Sequence, residues 1–259
     1  DRTLMSSKVI GSVLNRLKGG KVVGTKLEPS VRATNGATAL KYRSYNASLE
    51  IEDFQSILPE KTFAVSSGTK EPVGFELIKS RDPRFFQFKD YYVLLFKDEK
   101  LLKEYYQATQ LARIHKVRVK FTPLPSGQRS EHVYSHYVEN LEAAFESSRM
   151  YTEQYKKKRP FDQETFDLAQ LQQRVRPIEE RSALVWNLPP EMRSHNLMDR
   201  FWFYDIKHCF KLYWDDSIGK TLYYVAFNDR NDCMKFKRNF HGVYFDDDPK
   251  WKLLVETLH

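Results

Sequence analysis

Two cysteines in 259 residues are too few for a disulfide framework. Neither Cys209 nor Cys233 has a CxxC or HxxxH arrangement beside it that would hold zinc, so both read as core or half-buried thiols in a reducing compartment. No apolar run approaches the length needed to span a bilayer, and any membrane association is expected to be peripheral. The chain also lacks a GxxxxGK phosphate loop and any local nucleophile motif. No catalytic residue, metal site, cofactor or small-molecule substrate is therefore expected, and Asp246-Asp247-Asp248 before Pro249 reads as a solvated loop. What the chain does have is 41% hydrophobic and 14% aromatic residues, enough for two modest domains with cores of their own.

The net charge of +8 is unevenly spread. Basic residues outnumber acidic ones 7 to 2 over residues 1–38 and 15 to 11 over 39–124, against 9 to 10 over 125–181 and 11 to 11 over 182–259. A polyanion is therefore expected to meet the first half of the chain rather than the second. Within residues 1–38, the stretch Ser6 to Lys18 has no acidic residue, repeats Val9, Val13 and Leu17 on one helical face, and stops at Gly19-Gly20. It suits either an organelle-targeting segment or a short helix docking on the domain that follows.

The most specific pattern is at residues 182–259. Lys220 to Phe227 lies in register with the eight-residue signature strand of an RNA recognition motif, and Ala183 to Leu188 stands upstream where the shorter signature belongs. A helix is expected over Ser194–Phe210, a strand over Phe210–Trp214, a helix over Asn231–Gly242 and a strand over Lys252–Leu258, completing a βαββαβ order. Alternation sends Ala183, Val185, Val225 and Phe227 to the core, and leaves Leu184, Trp186, Leu222 and Tyr224 on the open face. Members of this family usually carry aromatic rings there for stacking bases. Here two of the three standard positions are leucines, which have no π-face. This apolar face is expected to be covered by the intervening helices or by a protein partner, with bases stacking on Trp186 and Tyr224 the third alternative because surplus charge is absent.

The same order recurs in weaker form over residues 39–124. Strands are expected over Leu40–Tyr45, Phe75–Lys79, Tyr91–Phe96 and Val117–Phe121, with helices over Leu49–Leu58 and Asp98–Ile114; Asp98 is the expected N-cap and Pro123 and Pro125 the terminators. Aligning Phe96 with Phe227 puts Leu40, Tyr42, Tyr92, Leu94, Phe96, Val117, Val119 and Phe121 inside. Lys41, Arg43, Lys89, Tyr91, Val93, Arg118 and Lys120 then face out. Five cations with one aromatic ring form a suitable face for tracking a single-stranded backbone, so Lys41, Arg43, Lys89, Tyr91, Arg118 and Lys120 are the candidate RNA-binding residues, the alternative being charges that only solvate the open face of an antiparallel sheet. Between the copies, residues 125–181 read as a helical linker with one long helix over Ser130–Lys158 and a shorter one through Phe166, Leu168 and Leu171. The Lys156–Arg159 run at its end reads as a solvated helix terminus, with phosphate contact the alternative. The expected fold class is α+β, two RRM-like βαββαβ (ferredoxin-like) domains joined by a helical segment.

Several longer strings are more specific than these signatures: Tyr42-Arg43-Ser44-Tyr45-Asn46, Ser56 to Glu60, Arg81-Asp82-Pro83, Phe86 to Asp90, Arg193-Ser194-His195, Phe201 to Tyr204 and Phe210 to Asp216. With them the chain resembles the petite-class family of yeast mitochondrial translational activators of the cytochrome c oxidase subunit III mRNA, also implicated in splicing a subunit I intron. The resemblance implies a matrix protein peripheral to the inner membrane, acting with companion translational activator proteins on a mitochondrial mRNA leader and on intron RNA, without catalysis. A protein-interaction scaffold using RRM-like folds without direct RNA contact is the rival reading.

Overall fold

The structure, a computed structural model, describes residues 36–58, 74–157, 166–215 and 217–259. The expected basic helix within residues 1–38, and Lys158 and Arg159, lie outside these residues.

In the first domain, strands β1 (Ala39–Arg43), β2 (Phe75–Arg81), β3 (Phe88–Phe96) and β6 (Phe121–Leu124) form one antiparallel sheet in the order β2-β3-β1-β6. Helices α1 (Ile51–Gln55) and α2 (Glu99–Ala108) pack on one side of it, and β4 (Arg113–Ile114) with β5 (Val117–Arg118) make a separate two-stranded hairpin. Three helices follow: α3 (Gln128–Glu146), α4 (Ser148–Lys156) and α5 (Leu168–Glu179). The second domain contains β7 (Ser182–Trp186), α6 (Ser194–Arg200), β8 (Ile206–Asp215), β9 (Lys220–Phe227), α7 (Arg230–Phe240) and β10 (Leu254–Thr257). Its sheet order, β10-β7-β9-β8, repeats that of the first, with the opening strand between the third and the last. Both halves thus have the RRM-like, ferredoxin-type α+β topology.

The differences from expectation have local causes. The closing strand of the first sheet is Phe121–Leu124, not Val117–Phe121. Its Pro123 is tolerated because β6 is an edge strand, paired only with β1, and a missing N–H costs nothing on the free side. Val117, expected inside, is 63% exposed on the hairpin; Val93 lies on the outward face as expected, but the linking helices bury it there. Helix α2 starts where Asp98 accepts the Leu101 N–H at 2.8 Å, but ends at Ala108, well before Ile114. The single long linker helix is two, because Ser147 leaves helical geometry and accepts the Met150 N–H, capping α4. In the second domain, Phe201–Asp205 is not helix, and β8 begins at Ile206 instead of Phe210.

Each sheet buries one face against its own two helices. Leu40, Tyr42, Tyr92, Leu94 and Phe121 pack with Phe54, Leu102 and Tyr105 in the first domain. Val185, Val225 and Phe227 pack with Leu197, Phe201 and Phe236 in the second, beside the buried Cys209 and Cys233. Burial pushes these two thiols up, to about 11 and about 12, so neither is a nucleophile near neutral pH. The opposite faces share a third core. Ala39, Ile78, Val93 and Leu95 of the first sheet and Leu184, Phe210, Leu222, Tyr224 and Ala226 of the second meet Tyr137, Val138, Leu141, Ala144, Leu168 and Val175 of the linking helices. Each large apolar side chain buried here contributes about 1.5–3 kcal/mol. The approach is close: a Cβ on Gly127, at the start of α3, would run into the Leu95 side chain.

Among the described residues, one ion pair joins the domains directly. The Arg81 guanidinium, its side chain 1% exposed, donates through Nη1 to the Phe86 carbonyl and the Glu256 carboxylate, both at 2.9 Å, and through Nη2 to the Leu258 carbonyl at 2.7 Å.

Candidate nucleic-acid interface

The linking helices cover the first sheet only in part. At the C-terminal end of β1 and the N-terminal end of β3 a cavity of about 400 Å³ remains, lined by Lys41, Arg43, Ser44, Tyr45, Lys89, Asp90 and Tyr91. Register brings these together: Lys41 pairs with Val93 and Arg43 with Tyr91, so both cations stand on the face opposite the Tyr42 and Tyr92 core. Lys41 Nζ lies 3.7 Å from the Tyr91 ring centroid, a close cation–π contact that fixes the ammonium over the ring. Arg43 and Lys89 are exposed and Tyr91 is half-buried.

The rim is held from below. The Tyr92 hydroxyl donates to the Asn46 carbonyl at 2.8 Å and accepts the Leu49 N–H at 3.1 Å, tying down the loop after β1. Burial pushes this hydroxyl up to about 12, so it stays a protonated donor. The Ser44 N–H donates to the Asp90 carbonyl at 3.1 Å. Strict alternation from Tyr92 would send Asp90 into the core, where a carboxylate would be unpaired. A left-handed backbone at Asp90 (φ 55°), beside an irregularity in the β2–β3 register, turns it to the cavity rim instead. The cavity thus has three cations, one carboxylate and two tyrosines. Ser44, Tyr45 and Asp90 are not among the sequence candidates: β1 ends at Arg43, Tyr45 extends the outward alternation of Lys41 and Arg43 past that end and is 91% exposed, and Asp90 departs from alternation.

Of the remaining candidate residues, Lys120 is exposed and immediately precedes Phe121, the partner of Tyr42, which places it at the strand end beside Arg43. Arg118 is not on this sheet. It lies on β5 opposite Arg113, because the chain folds back into the hairpin before rejoining the sheet at β6.

The second sheet offers a different surface. Leu184, Leu222 and Tyr224 are fully buried and Trp186 half-buried beneath the linking helices and the β2–β3 loop. The Tyr224 ring is surrounded by Phe86 (centroids 5.7 Å), Phe210 (5.4 Å) and His208 (6.2 Å), and its hydroxyl shares a hydrogen bond with Ser182 at 2.8 Å. Its ring has no face free for a base. Among the described residues, no three His, Cys, Asp or Glu side chains come together as metal ligands.

Residues 36–139 match the family model of the Protein PET54 N-terminal domain. Protein PET54 of Saccharomyces cerevisiae is 40% identical over 262 residues, spanning 92% of this chain and 88% of that protein. Protein PET54 of Saccharomyces bayanus is 40% identical over 260 residues, spanning 92% and 87%. Among solved structures, the Mip6 RRM3 domain aligns with 30% of this chain and 93% of its own at 18% identity and a TM-score of 0.27. RNA recognition domains 1 and 2 of Sex-lethal from Drosophila melanogaster align with 85% of this chain and 98% of their own at 13% identity and a TM-score of 0.23. The sequence match runs through both domains and the helices between them, and on it the chain belongs to the PET54 family.

Proposed function

We propose that this chain is a non-enzymatic RNA-binding protein of the mitochondrial matrix, peripheral to the inner membrane. In this reading it activates translation of the cytochrome c oxidase subunit III mRNA and assists splicing of a subunit I intron, together with companion activator proteins. The observation that carries the RNA-binding part is the first-sheet cavity. Lys41, Arg43 and Lys89 converge on an open sheet end beside Tyr91, with Lys120 at its edge, which is the chemistry that grips phosphates and stacks a base. The messages and the location are carried by the resemblance of the long sequence strings to the translational activators, and a peripheral association is compatible with the lack, among the described residues, of any helix long and apolar enough to cross a membrane.

Titrating the protein with leader and intron RNA at several salt concentrations tests the reading. Phosphate contacts release counterions, so affinity should fall steeply with salt. The scaffold alternative gives no RNA retention and no slope. Protease protection in intact mitochondria, followed by release from membranes in alkaline carbonate, tests the location. Loss of the protein from intact organelles on protease treatment would reject a matrix address.

A further inference from the structure

A second aromatic surface lies outside the cavity, where three separate parts of the chain meet. The loop 82–87 between β2 and β3 is set by Asp82, whose carboxylate accepts the Arg84 and Phe85 N–H groups at 2.9 Å each. The Arg84 carbonyl accepts the Tyr151 hydroxyl of α4 at 2.6 Å. Its guanidinium lies 4.8 Å from the Phe85 ring centroid and 5.0 Å from that of Tyr155 on α4. Phe85 in turn meets Tyr213 of β8 edge to face, with centroids 6.1 Å apart. The first domain, the linking helix and the second domain thus each supply part of one surface, which exists only because they are packed together.

This surface is accessible and cationic. Tyr155 is 43% and Tyr213 36% exposed, Arg84 is exposed, and α4 ends in exposed Lys156 and Lys157. Three carboxylates lie nearby, of which Glu153 is paired with a cation and Asp82 and Asp215 keep their charge while accepting hydrogen bonds. Asp82 holds the loop, Glu153 pairs with Arg149 at 2.9 Å, and Asp215 accepts the Ser217 N–H at 3.0 Å and the Tyr213 hydroxyl at 3.4 Å. Part-exposed tyrosine rings beside three cations that form no salt bridge among the described residues match the two chemistries of a single strand, stacking for the base and charge for the phosphate. The β2–β3 loop also runs directly into Lys89 and Tyr91 of the first cavity, so one strand of nucleic acid can follow one segment of protein from cavity to platform.

We propose that Arg84, Tyr155, Tyr213, Lys156 and Lys157 form a second single-stranded RNA-binding segment, composed across both domains, that continues the site on the first sheet. It rests on the RNA-binding reading above, and extends it to a surface away from both signature strands. An uncharged aromatic patch would suit a protein partner. Arg84, Lys156 and Lys157, none of which forms a salt bridge among the described residues, favour a polyanion.

The test uses the full chain and a randomised single-stranded RNA of about 16 nucleotides, long enough to reach beyond one sheet end. Arg84→Ala/Tyr155→Ala should weaken binding about ten- to a hundredfold, the loss expected from one stacked base and one phosphate contact, and abolish ultraviolet crosslinks at Tyr213 while leaving those at Tyr91. Arg84→Gln/Tyr155→Phe, which keeps the rings and the packing, should recover most of the stacking and lose only part of the salt slope. A parallel Lys41→Ala/Tyr91→Ala variant separates the two readings. If that variant is weakened while Arg84→Ala/Tyr155→Ala, folded by its unchanged thermal transition, binds like the wild type, the platform is overturned and the first cavity stands. If only the Arg84/Tyr155 variant is weakened, the platform stands without the cavity. Absence of wild-type binding at low salt overturns both.

Discussion

The two sheets have the same strand order yet opposite fates. The second has the clearer signature strands and puts Leu184, Leu222 and Tyr224 into a dry core. The first has the poorer signatures and leaves Lys41, Arg43, Lys89 and Tyr91 around an open cavity. What separates them is the side chains on the face turned to the linking helices. Leucines, a phenylalanine and a capped tyrosine pack against α3 and α5, whereas cations at the end of β1 would be unpaired if buried, so the helical cover stops short of them. Topology repeats; the chemistry of one face decides which copy stays available to a ligand.

The largest expected contrast comes from truncating one tyrosine on each sheet. Tyr224→Ala removes a fully buried ring touching several others and should destabilise the protein by about 3–5 kcal/mol, read by denaturant unfolding. Tyr91→Ala should leave the fold largely intact. A negligible stability loss for Tyr224→Ala with strongly weakened RNA binding would reverse the roles assigned to the two sheets. Next comes charge. Lys41→Ala/Lys120→Ala should weaken RNA binding irrespective of sequence and flatten the salt dependence by about two phosphate contacts; unchanged affinity and slope would remove the first cavity from the site.

Stacking is a smaller effect and separable from charge. Tyr91→Ala should cost about 1–3 kcal/mol of RNA affinity with little change in salt slope, because stacking releases no counterions. A slope change equal to that of the lysine pair would mean that the ring serves mainly to hold the Lys41 ammonium. The smallest effect is on pH. Burial, with a further contribution from the Lys207 charge, holds His208 below the ordinary imidazole value of 6.5, against the pull of its hydrogen bond to the Phe145 carbonyl. The folded state therefore binds fewer protons here than the unfolded one. Its stability should be full above about 6.5 and decline as pH falls through the depressed value, and His208→Phe should lessen that decline in melts at about pH 7.5 and 5.5. An equal decline in the variant would assign it elsewhere, His136 beside His132 being the next candidate.

Most of this contrast can be read from alternation alone. Tyr42, Tyr92 and Phe121 inside, Lys41 and Arg43 outside, and a covered Leu184–Tyr224 face all follow from one residue in two pointing each way. What alternation could not show was where strands stop. Arg118 left the sheet because a tight hairpin at His115-Lys116, both in left-handed backbone, interrupts the segment without a glycine to announce it. Asp90 joined the cavity for a similar backbone reason. The Phe85–Tyr213 and Arg84–Tyr155 contacts join residues 128 and 71 positions apart, and no local pattern links such pairs.

The Arg81 clasp has a consequence for how the chain denatures. A guanidinium with no access to water has its carboxylate and one of its carbonyl partners more than 170 positions away, and the first sheet's Ile78, Val93 and Leu95 are sealed only when the linking helices and the second sheet are in place. A solitary first domain would lose the Glu256 and Leu258 partners of this cation and leave a bare apolar face in water, so a half-folded species has little to stabilise it. The two repeats should then melt together in one cooperative transition, with calorimetric and van't Hoff enthalpies in agreement, rather than as a pair of beads on a string.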